Sequence, residues 1–281
     1  MLAKAPPRRN IARMRLIAAT ALASFLLTNP PASAEPARER LAYDTYAAGL
    51  EVMQMRVFFG LGPWNYQIDI DYHTTGLVGF LYRGHQLNSV RGVWQDGRAA
   101  PVEFFGEGAW RGQQRRTLID YDHGQPEVRA LVPPQQSERE PVPPQLQLHT
   151  IDTLSALAQL VRRVERDRSC ETSVRTYDGR RVLDVSARTG GMEILQPTGR
   201  SMFSGPALRC DFQGREVAGF LLGDEDPEHR RPLHGSAWLA PLKPEGPILP
   251  VRIAFQTRWF GLATMYLTAA APAETAEAAR H

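Results

Sequence analysis

The sequence feature that most constrains the fold is a repeated alternation of apolar and polar residues. Apolar side chains recur at every second position over residues 66–72 and 251–259. Because successive side chains of a β-strand point to opposite faces, a period of two predicts antiparallel strands with one face on a core and one in water. We predict about ten to twelve such strands, with Asp-Gly turns at residues 96–97 and 178–179.

One segment departs from this alternation and predicts a helix. From residue 151 the apolar side chains are spaced three and four apart, at Leu154, Leu157, Val161 and Val164. This spacing predicts one main α-helix over about residues 152–166. Asp152 or Thr150 can cap its start, and an Asp cap followed one turn later by Ser155 contributes about 1 kcal/mol to helix stability.

The proline-rich segment 133–144 raises the question of how many domains the chain contains. Prolines are excluded from the interior of a sheet, so the segment is predicted to be an exposed linker. It could separate domains at 36–132 and 151–269, or one sheet could run through both halves and curl around the helix. The second arrangement is favoured, because one helix cannot easily cover two separate sheets. Residues 35–269 are therefore predicted to form one mainly β domain, and 270–281 a disordered tail.

The charge distribution indicates export. The chain has 33 basic and 30 acidic residues, a net charge of +3 and a pI of about 9.0, which would suit a nucleic-acid-binding protein. Five of the basic residues lie in 1–34, and removing them leaves 28 basic and 30 acidic residues. The remainder therefore gives no reason to expect a nucleic-acid partner.

The first 34 residues also have the layout of a signal peptide. An apolar run at 16–27 follows the basic stretch, and Ala32-Ser33-Ala34 predicts cleavage between Ala34 and Glu35. The run is shorter than the roughly 20 residues that a membrane-spanning helix needs. We therefore predict a periplasmic protein whose mature form has no transmembrane segment. Cys170 and Cys210 are predicted to form a structural disulfide in that oxidising compartment, since they lack the spacing of a redox motif.

The usual signatures of catalysis and metal binding are missing. The sequence has no nucleophile elbow, zinc-helix or phosphate-loop motif. Asp69 and Asp71 share one face of a predicted strand and could flank a substrate, although such pairs more often form the wet side of a sheet. The acidic loop 223–226, near His229 and His234, could bind a cation or be a solvated turn. The sequence therefore predicts no catalytic residue, metal or cofactor.

Two apolar segments are predicted to be loops. Residues 58–64 join two predicted strands, and residues 76–82 form a continuous apolar run that does not alternate cleanly. They could line a hydrophobic cavity or touch a lipid or partner, or they could simply be buried over one end of the core. Their aromatic side chains are the candidate contacts for a hydrophobic ligand or partner: Phe58, Phe59, Trp64, Phe80 and Tyr82.

Several short motifs resemble a family of exported bacterial proteins known as a domain of unknown function, over about residues 41–268. They are Tyr43-x-x-Tyr46-x-x-Gly49, Asp152-Thr-Leu-Ser155-Ala156-Leu157, the segment 174–180 followed by Cys210, and Trp238 followed by 249–253 and Gly261. The arginine expected directly after the helix motif is displaced to Arg162 or Arg163. The resemblance implies a lipoprotein-carrier-like fold, in which a strongly curved antiparallel sheet, a half-barrel or β-spiral, wraps one helix.

These observations lead to three functional hypotheses. The first is a periplasmic, non-enzymatic binding or scaffold protein that supports envelope integrity, with a lipid or lipoprotein acyl chain held between sheet and helix. The second is a structural module that binds other envelope proteins. The third is a hydrolase, which would require strongly pKa-shifted acids or histidines in a cleft.

Overall fold

The computed structural model describes residues 37–257 and 261–273. The predicted signal peptide, with its cleavage site at Ala34 and Glu35, and residues 274–281 of the predicted tail lie outside this range. The described part contains thirteen β-strands and three α-helices. The strands are β1 (Ala37–Ala47), β2 (Leu50–Leu61), β3 (Asn65–Thr74), β4 (Gly84–Gln95), β5 (Arg98–Trp110), β6 (Gln113–Asp122), β7 (Gln125–Val132), β8 (Thr172–Tyr177), β9 (Val182–Leu195), β10 (Gly205–Ala218), β11 (Leu233–Pro241), β12 (Ile248–Thr257) and β13 (Gly261–Pro272). The helices are α1 (Gly76–Leu81), α2 (Pro144–Gln147) and α3 (Thr153–Asp167), and short 3₁₀ turns lie at Gln135–Ser137 and Pro227–Arg230.

All thirteen strands belong to one antiparallel sheet. Its order is β7-β6-β5-β4-β3-β2-β1-β13-β12-β11-β10-β9-β8. The first and last strands therefore pair at the centre of the sheet, while β7 and β8 are its edges. Within the described residues these edges do not pair with each other, so the sheet is curled but not closed. The prediction of a mainly β fold built on one antiparallel sheet is confirmed.

Helix α3 lies against the inner face of this curled sheet. It contacts β3, β4 and β5 from one half of the sheet, and β8 and β12 from the other. Its apolar stripe includes Val161 and Val164, which are almost completely buried, as are Ile68 and Ile119 on the sheet. This packing joins both halves of the chain in one core, as expected for a sheet wrapped around a helix.

The proline-rich segment packs against the sheet at several points. Val142 is only 5% exposed and belongs to the core. Glu138 forms an ion pair with Arg115 at 2.6 Å, and Arg139 forms one with Glu216 at 2.8 Å. Because these contacts reach both β6 and β10, the segment acts as a strap across the sheet. Most of its residues are exposed, as predicted, but the strap is anchored to the sheet instead of being a free linker.

Three further segments differ from the sequence predictions. Residues 58–61 continue β2 instead of forming a loop, since their backbones pair with both β1 and β3. Residues 76–81 form the short helix α1. At the other end of the chain, β13 continues to Pro272, beyond the predicted boundary at 269, because Ala270, Ala271 and Pro272 pair with β1.

No helix within residues 37–257 and 261–273 combines the length and the apolar character that crossing a bilayer requires.

Candidate ligand groove on the outer face of the sheet

The outer face, which points away from α3, carries an apolar groove where β13, β1, β2, β3 and β4 lie side by side. Its volume is about 440 Å³. Ala42, Phe58, Leu87 and residues 269–271 contribute apolar surface, and four charged side chains stand around them. We call this site the outer groove. Its full lining consists of Arg40, Leu41, Ala42, Arg56, Val57, Phe58, Asp69, Asp71, Leu87, Ala269, Ala270 and Ala271.

Short side chains create the depression. Ala42 on β1 lies directly opposite Ala269 on β13, and Arg40 lies opposite Ala271. An alanine extends only one carbon from the backbone, so the floor is low where β1 and β13 meet. Phe58 and Leu87 are larger side chains on neighbouring strands and stand higher, and Leu87 is more than a third exposed. The result is an apolar trough with an aromatic wall.

The charged residues of the groove follow the strand register. Arg56 lies opposite both Ala42 and Asp71, and Phe58 lies opposite both Arg40 and Asp69. Charged side chains therefore flank the apolar surface. Arg40 and Arg56 form no ion pair with a carboxylate in the part of the chain that the structure describes.

The two aspartates have local partners. Asp69 accepts hydrogen bonds from Ser89 Oγ at 2.5 Å and from Gln67 Nε2 at 2.7 Å. Asp71 lies 3.1 Å from His85 Nε2. Their shared face, predicted from their spacing, is the wet face of the sheet. They flank the outer groove as polar walls.

A buried polar chain connects the start of α3 to the sheet. Asp152 is the N-cap of α3 and accepts hydrogen bonds from the Ser155 backbone N–H at 2.9 Å and from Ser155 Oγ at 2.5 Å. The Tyr66 hydroxyl lies 2.7 Å from Ser155 Oγ. An ionised Asp152 can only accept, so the single Ser155 hydroxyl proton is donated to it, and Tyr66 then donates to Ser155 Oγ. Burial raises the pKa of Asp152 to about 6.

This chain resembles a catalytic constellation in composition but not in setting. Asp152 and Ser155 are both fully buried, so neither side chain is open to a substrate. Burial also raises the pKa of the Tyr66 hydroxyl, which favours its neutral form. The arrangement satisfies the Ser155 backbone N–H in the first turn of the helix and fixes the helix start on β3.

The structure separates the five predicted contact residues. Phe58 lines the outer groove, whereas Phe59, the next residue in the strand, points to the inner face and is buried in the core. Trp64 is 80% exposed in the turn before β3. Phe80 and Tyr82 lie beyond the other end of β3, whose ten residues span about 30 Å at roughly 3.3 Å each. They therefore do not form one site.

Helix α1 presents an exposed apolar surface. It has no buried residue, and Leu77, Phe80 and Leu81 are 62%, 82% and 60% exposed. Leu50 in neighbouring β2 is exposed as well. We call these four side chains the α1 tip. Tyr82 lies beside it, with the Arg111 guanidinium 4.4 Å from its ring centre.

The acidic loop contributes to local structure. Asp226 accepts a hydrogen bond from the Glu228 backbone N–H at 2.9 Å and so caps a 3₁₀ turn. Within the described residues, no three His, Cys, Asp or Glu side chains come together as a metal site. The side chain of His229 lies outside what the structure describes.

Sequence reasoning missed most of the outer groove. Ala42, Leu87 and residues 269–271 lie on three separate segments that only the sheet order brings together. One signal was available for Phe58, because its aromatic side chain lies in an apolar run. Ala270 and Ala271 fell within the predicted tail, since alanine does not mark either face of a strand.

The architecture and the site together define a class: a mainly β protein with one continuous, open antiparallel sheet, a helix on its inner face and a groove on its outer face. The chain belongs to the family described as "Protein of unknown function (DUF3108)", whose model matches residues 42–268. The family resemblance inferred from the sequence is thereby confirmed. The further likeness to lipoprotein carriers stays a prediction.

Two other comparisons add context. No curated protein matches the chain in sequence. The chain is similar to the crystal structure of a beta-barrel-like protein of domain of unknown function DUF1849 from Brucella abortus, with 12% identity and a TM-score of 0.48. That alignment covers 85% of this chain and 99% of the other.

Proposed function

We propose that the protein is a non-enzymatic binding protein of the bacterial periplasm that holds an apolar chain in its outer groove and supports the integrity of the cell envelope. The ligand class is an acyl chain, from a lipid or a lipoprotein. The observation that carries the proposal is the apolar trough of about 440 Å³ with arginines at its rim. This volume is within the range of known small-molecule sites.

The position of this site differs from the one expected from the sequence, between sheet and helix. There, Ile68, Val90 and Val161 are completely buried and pack as a core. Close-packed interiors leave little room for a ligand beside such side chains. The outer groove is the better candidate, because its apolar surface is accessible without unfolding the core.

The chemistry of the groove suits an amphiphilic molecule. Each methylene group buried against apolar surface contributes roughly 0.8 kcal/mol to binding. Arg40 and Arg56 stand beside that surface and can donate to a carboxylate or phosphate at the end of the chain. The groove would thus bind the apolar part and orient the polar end.

Native mass spectrometry of protein purified from the periplasm tests this proposal. We expect bound lipid on the wild type, its loss after lipid extraction, and little lipid on Ala42→Phe, whose ring would fill the floor. Ala109→Phe is the matched control, because Ala109 lies on the outer face of β5, outside the groove. Absence of lipid from the wild type, or equal lipid on Ala42→Phe, would contradict the proposal.

A second candidate function is a structural module that binds another envelope protein through the α1 tip. Its support is the exposure of Leu77, Phe80 and Leu81 on a helix with no buried side chain, since exposed apolar clusters often mark interaction sites. A photo-crosslinking residue at position 80 should give one discrete protein adduct in cells. The same residue at exposed Ile194 is the control, and matching adduct patterns at both positions would argue against this function.

A hydrolase has less support. Asp152 has a raised pKa, but it lies in the core and not in a cleft. The family description and the structural comparison name no enzymatic activity.

A further inference from the structure

A second groove, independent of the outer groove, runs beside α3 where the curled sheet brings β5 and β8 towards the same helix. Its volume is about 800 Å³. Five arginines line it, and we call it the arginine groove: Arg98, Arg162, Arg163, Arg166 and Arg175. They come from β5, from α3 and from β8, so no single segment of the sequence displays the cluster.

The floor of the arginine groove is held in place by one side chain. Gln159 Oε1 accepts a hydrogen bond from the Ala99 backbone N–H at 3.0 Å, and Gln159 Nε2 donates to Thr172 Oγ1 at 3.2 Å. The helix is thereby tied to β5 on one side and to β8 on the other. The groove is formed before any ligand arrives, which reduces the entropy cost of binding.

Helical geometry brings its arginines together. Arg162 and Arg166 are four residues apart and share one face of α3. Arg162 donates to the carbonyl oxygens of Gly62 and Pro63, and its guanidinium lies 4.3 Å from the Trp94 ring centre. Burial, and then the nearby Arg166, lower the pKa of the Arg162 guanidinium. These two cations therefore stand close together.

Arg166 reaches across to the β4–β5 turn. One of its nitrogens lies 2.9 Å from the point where a Cβ on Gly97 would be, and Gly97 has a φ of +76°. A larger residue there would be strained and would push Arg166 away. Arg98 follows in the same turn, so two exposed guanidiniums flank one end of the groove.

The charges in this groove are only partly balanced. Arg163 pairs with Asp167 at 3.0 Å and Arg175 pairs with Asp184 at 2.9 Å. Arg98 and Arg166 form no ion pair with a carboxylate in the described part of the chain. Asp96 and Glu171 also line the groove, with His123 and His149. The five arginines thus outnumber two carboxylates, although residues 35–281 carry more acidic than basic residues.

We propose that the arginine groove binds a phosphate-bearing ligand, with Arg98 and Arg166 donating to the phosphate oxygens. The guanidinium group presents paired N–H donors that match a phosphate, and such charge-assisted bonds are stronger than neutral ones. The phosphate can belong to a soluble phosphate ester or to the headgroup of a membrane lipid. The volume leaves room for the rest of a small molecule beside the phosphate.

Calorimetry and vesicle flotation with the full chain test this proposal. The probes are glycerol 3-phosphate, inorganic phosphate, and vesicles of phosphatidylglycerol. We expect the wild type to bind at least one of them, with an affinity that falls as salt is raised. Arg98→Gln and Arg166→Gln should each weaken binding roughly tenfold or more. Arg231→Gln is the matched control, because this exposed arginine pairs with Glu228 outside the groove.

The outcomes separate the two sources of phosphate. Binding of glycerol 3-phosphate or phosphate without vesicle binding supports a soluble ligand, and binding of vesicles alone supports a lipid headgroup, provided that both groove variants reduce it. The proposal is overturned if the wild type binds none of the probes, or if Arg98→Gln and Arg166→Gln bind as tightly as Arg231→Gln. Circular dichroism of each variant checks that the fold is retained.

Discussion

At the scale of single residues, the carboxylate of Asp152 links the N-cap of α3 to a contact with a strand that is distant in sequence. Its hydrogen bonds with Ser155 satisfy the start of α3, and Ser155 in turn meets Tyr66, which lies 89 residues away in sequence. Desolvation makes the buried charge costly, and these hydrogen bonds offset part of that cost. The balance leaves Asp152 with a pKa of about 6.

This raised pKa predicts a pH dependence of stability. The folded Asp152 binds its proton more tightly than an unfolded aspartate, whose pKa is about 3.9. Its contribution to stability is therefore complete below about pH 4 and is lost as the pH rises through 6. Relative to Asp152→Asn, the wild type should lose about 3 kcal/mol of unfolding free energy across this window. Urea unfolding of both proteins at several pH values measures the difference, and a pH-independent difference would contradict the assignment.

Gly92 gives a second prediction at this scale. A Cβ at this position would lie 2.2 Å from the Tyr66 ring. That ring cannot move easily, because its hydroxyl is hydrogen-bonded to Ser155 and its centre lies 4.7 Å from that of the tilted Trp94 ring. Gly92→Ala should therefore reduce the unfolding free energy by about 1–3 kcal/mol. Gly199→Ala, which meets open space, should change it much less in the same urea titration.

Residue-level prediction from sequence succeeded where the interaction is local. The Asp152 cap could be inferred because cap and recipient lie three residues apart. The Tyr66 contact could not, since nothing near Tyr66 in the sequence indicates which helix residue will face it. The same limit explains why Phe58 and Phe59 were grouped together, although adjacent strand residues point to opposite faces.

At the scale of elements, α3 is fixed to the sheet near both ends. The buried polar chain holds its start, and a disulfide joins Cys170, just after its end, to Cys210 on β10, with Cα atoms 5.6 Å apart. The bridge spans 40 residues of sequence. It holds the end of the helix against the half of the sheet opposite to β3.

Removing this bridge should lower thermal stability. In the chain-entropy treatment, a loop of this length contributes roughly 4 kcal/mol. Cys170→Ser should therefore melt at a lower temperature than the oxidised wild type, and reduction should bring the wild type close to the variant. Differential scanning calorimetry with and without reductant measures this, and equal melting temperatures for oxidised wild type and Cys170→Ser would argue against a stabilising bridge.

The strands and helices that could be predicted from the sequence are those with one clearly apolar and one clearly polar face. Strands β3 and β12 alternate clearly, and α3 was located to within one residue at each end. The end of β2 was missed because residues 58–61 are all apolar or glycine, which hides the alternation. The end of β13 was missed for a similar reason, since its alanines give neither face a distinct character.

At the scale of the whole molecule, the continuous sheet makes the two halves of the chain interdependent. β1 pairs with β2 on one side and with β13 on the other. Helix α3 and the strap at 133–144 also contact both halves. The structure therefore has one sheet that runs through both halves, and not two separate sheets. The proline-rich segment alone could not distinguish the one-domain arrangement from the two-domain one.

This continuity predicts one cooperative unfolding transition. Hydrogen exchange followed by mass spectrometry across a denaturant series should give the same midpoint for peptides from residues 65–122 and 182–257, apart from fraying at the edges. Buried amides are the relevant reporters in each half. Two well-separated midpoints would show that the halves unfold independently.

Both grooves are properties of this scale as well. The outer groove draws on residues near 40, 58, 87 and 270, and the arginine groove on residues near 98, 163 and 175. The strand order of the folded sheet brings the residues of each groove together. Sequence patterns could therefore indicate that a ligand site exists on such a sheet, but not which side chains compose it.

The central position of β1 and β13 also determines when the sheet can finish forming during synthesis. Glu39 pairs with Pro272, so β1, the first of the thirteen described strands, gains this neighbour only after β13, the last of them, has been synthesised. Until then β1 has one unpaired edge, and the longest-range contact of the sheet carries the largest loop-closure cost. A chain that has not yet added β13 therefore cannot complete this sheet, and β1 keeps an edge that is open to other pairing.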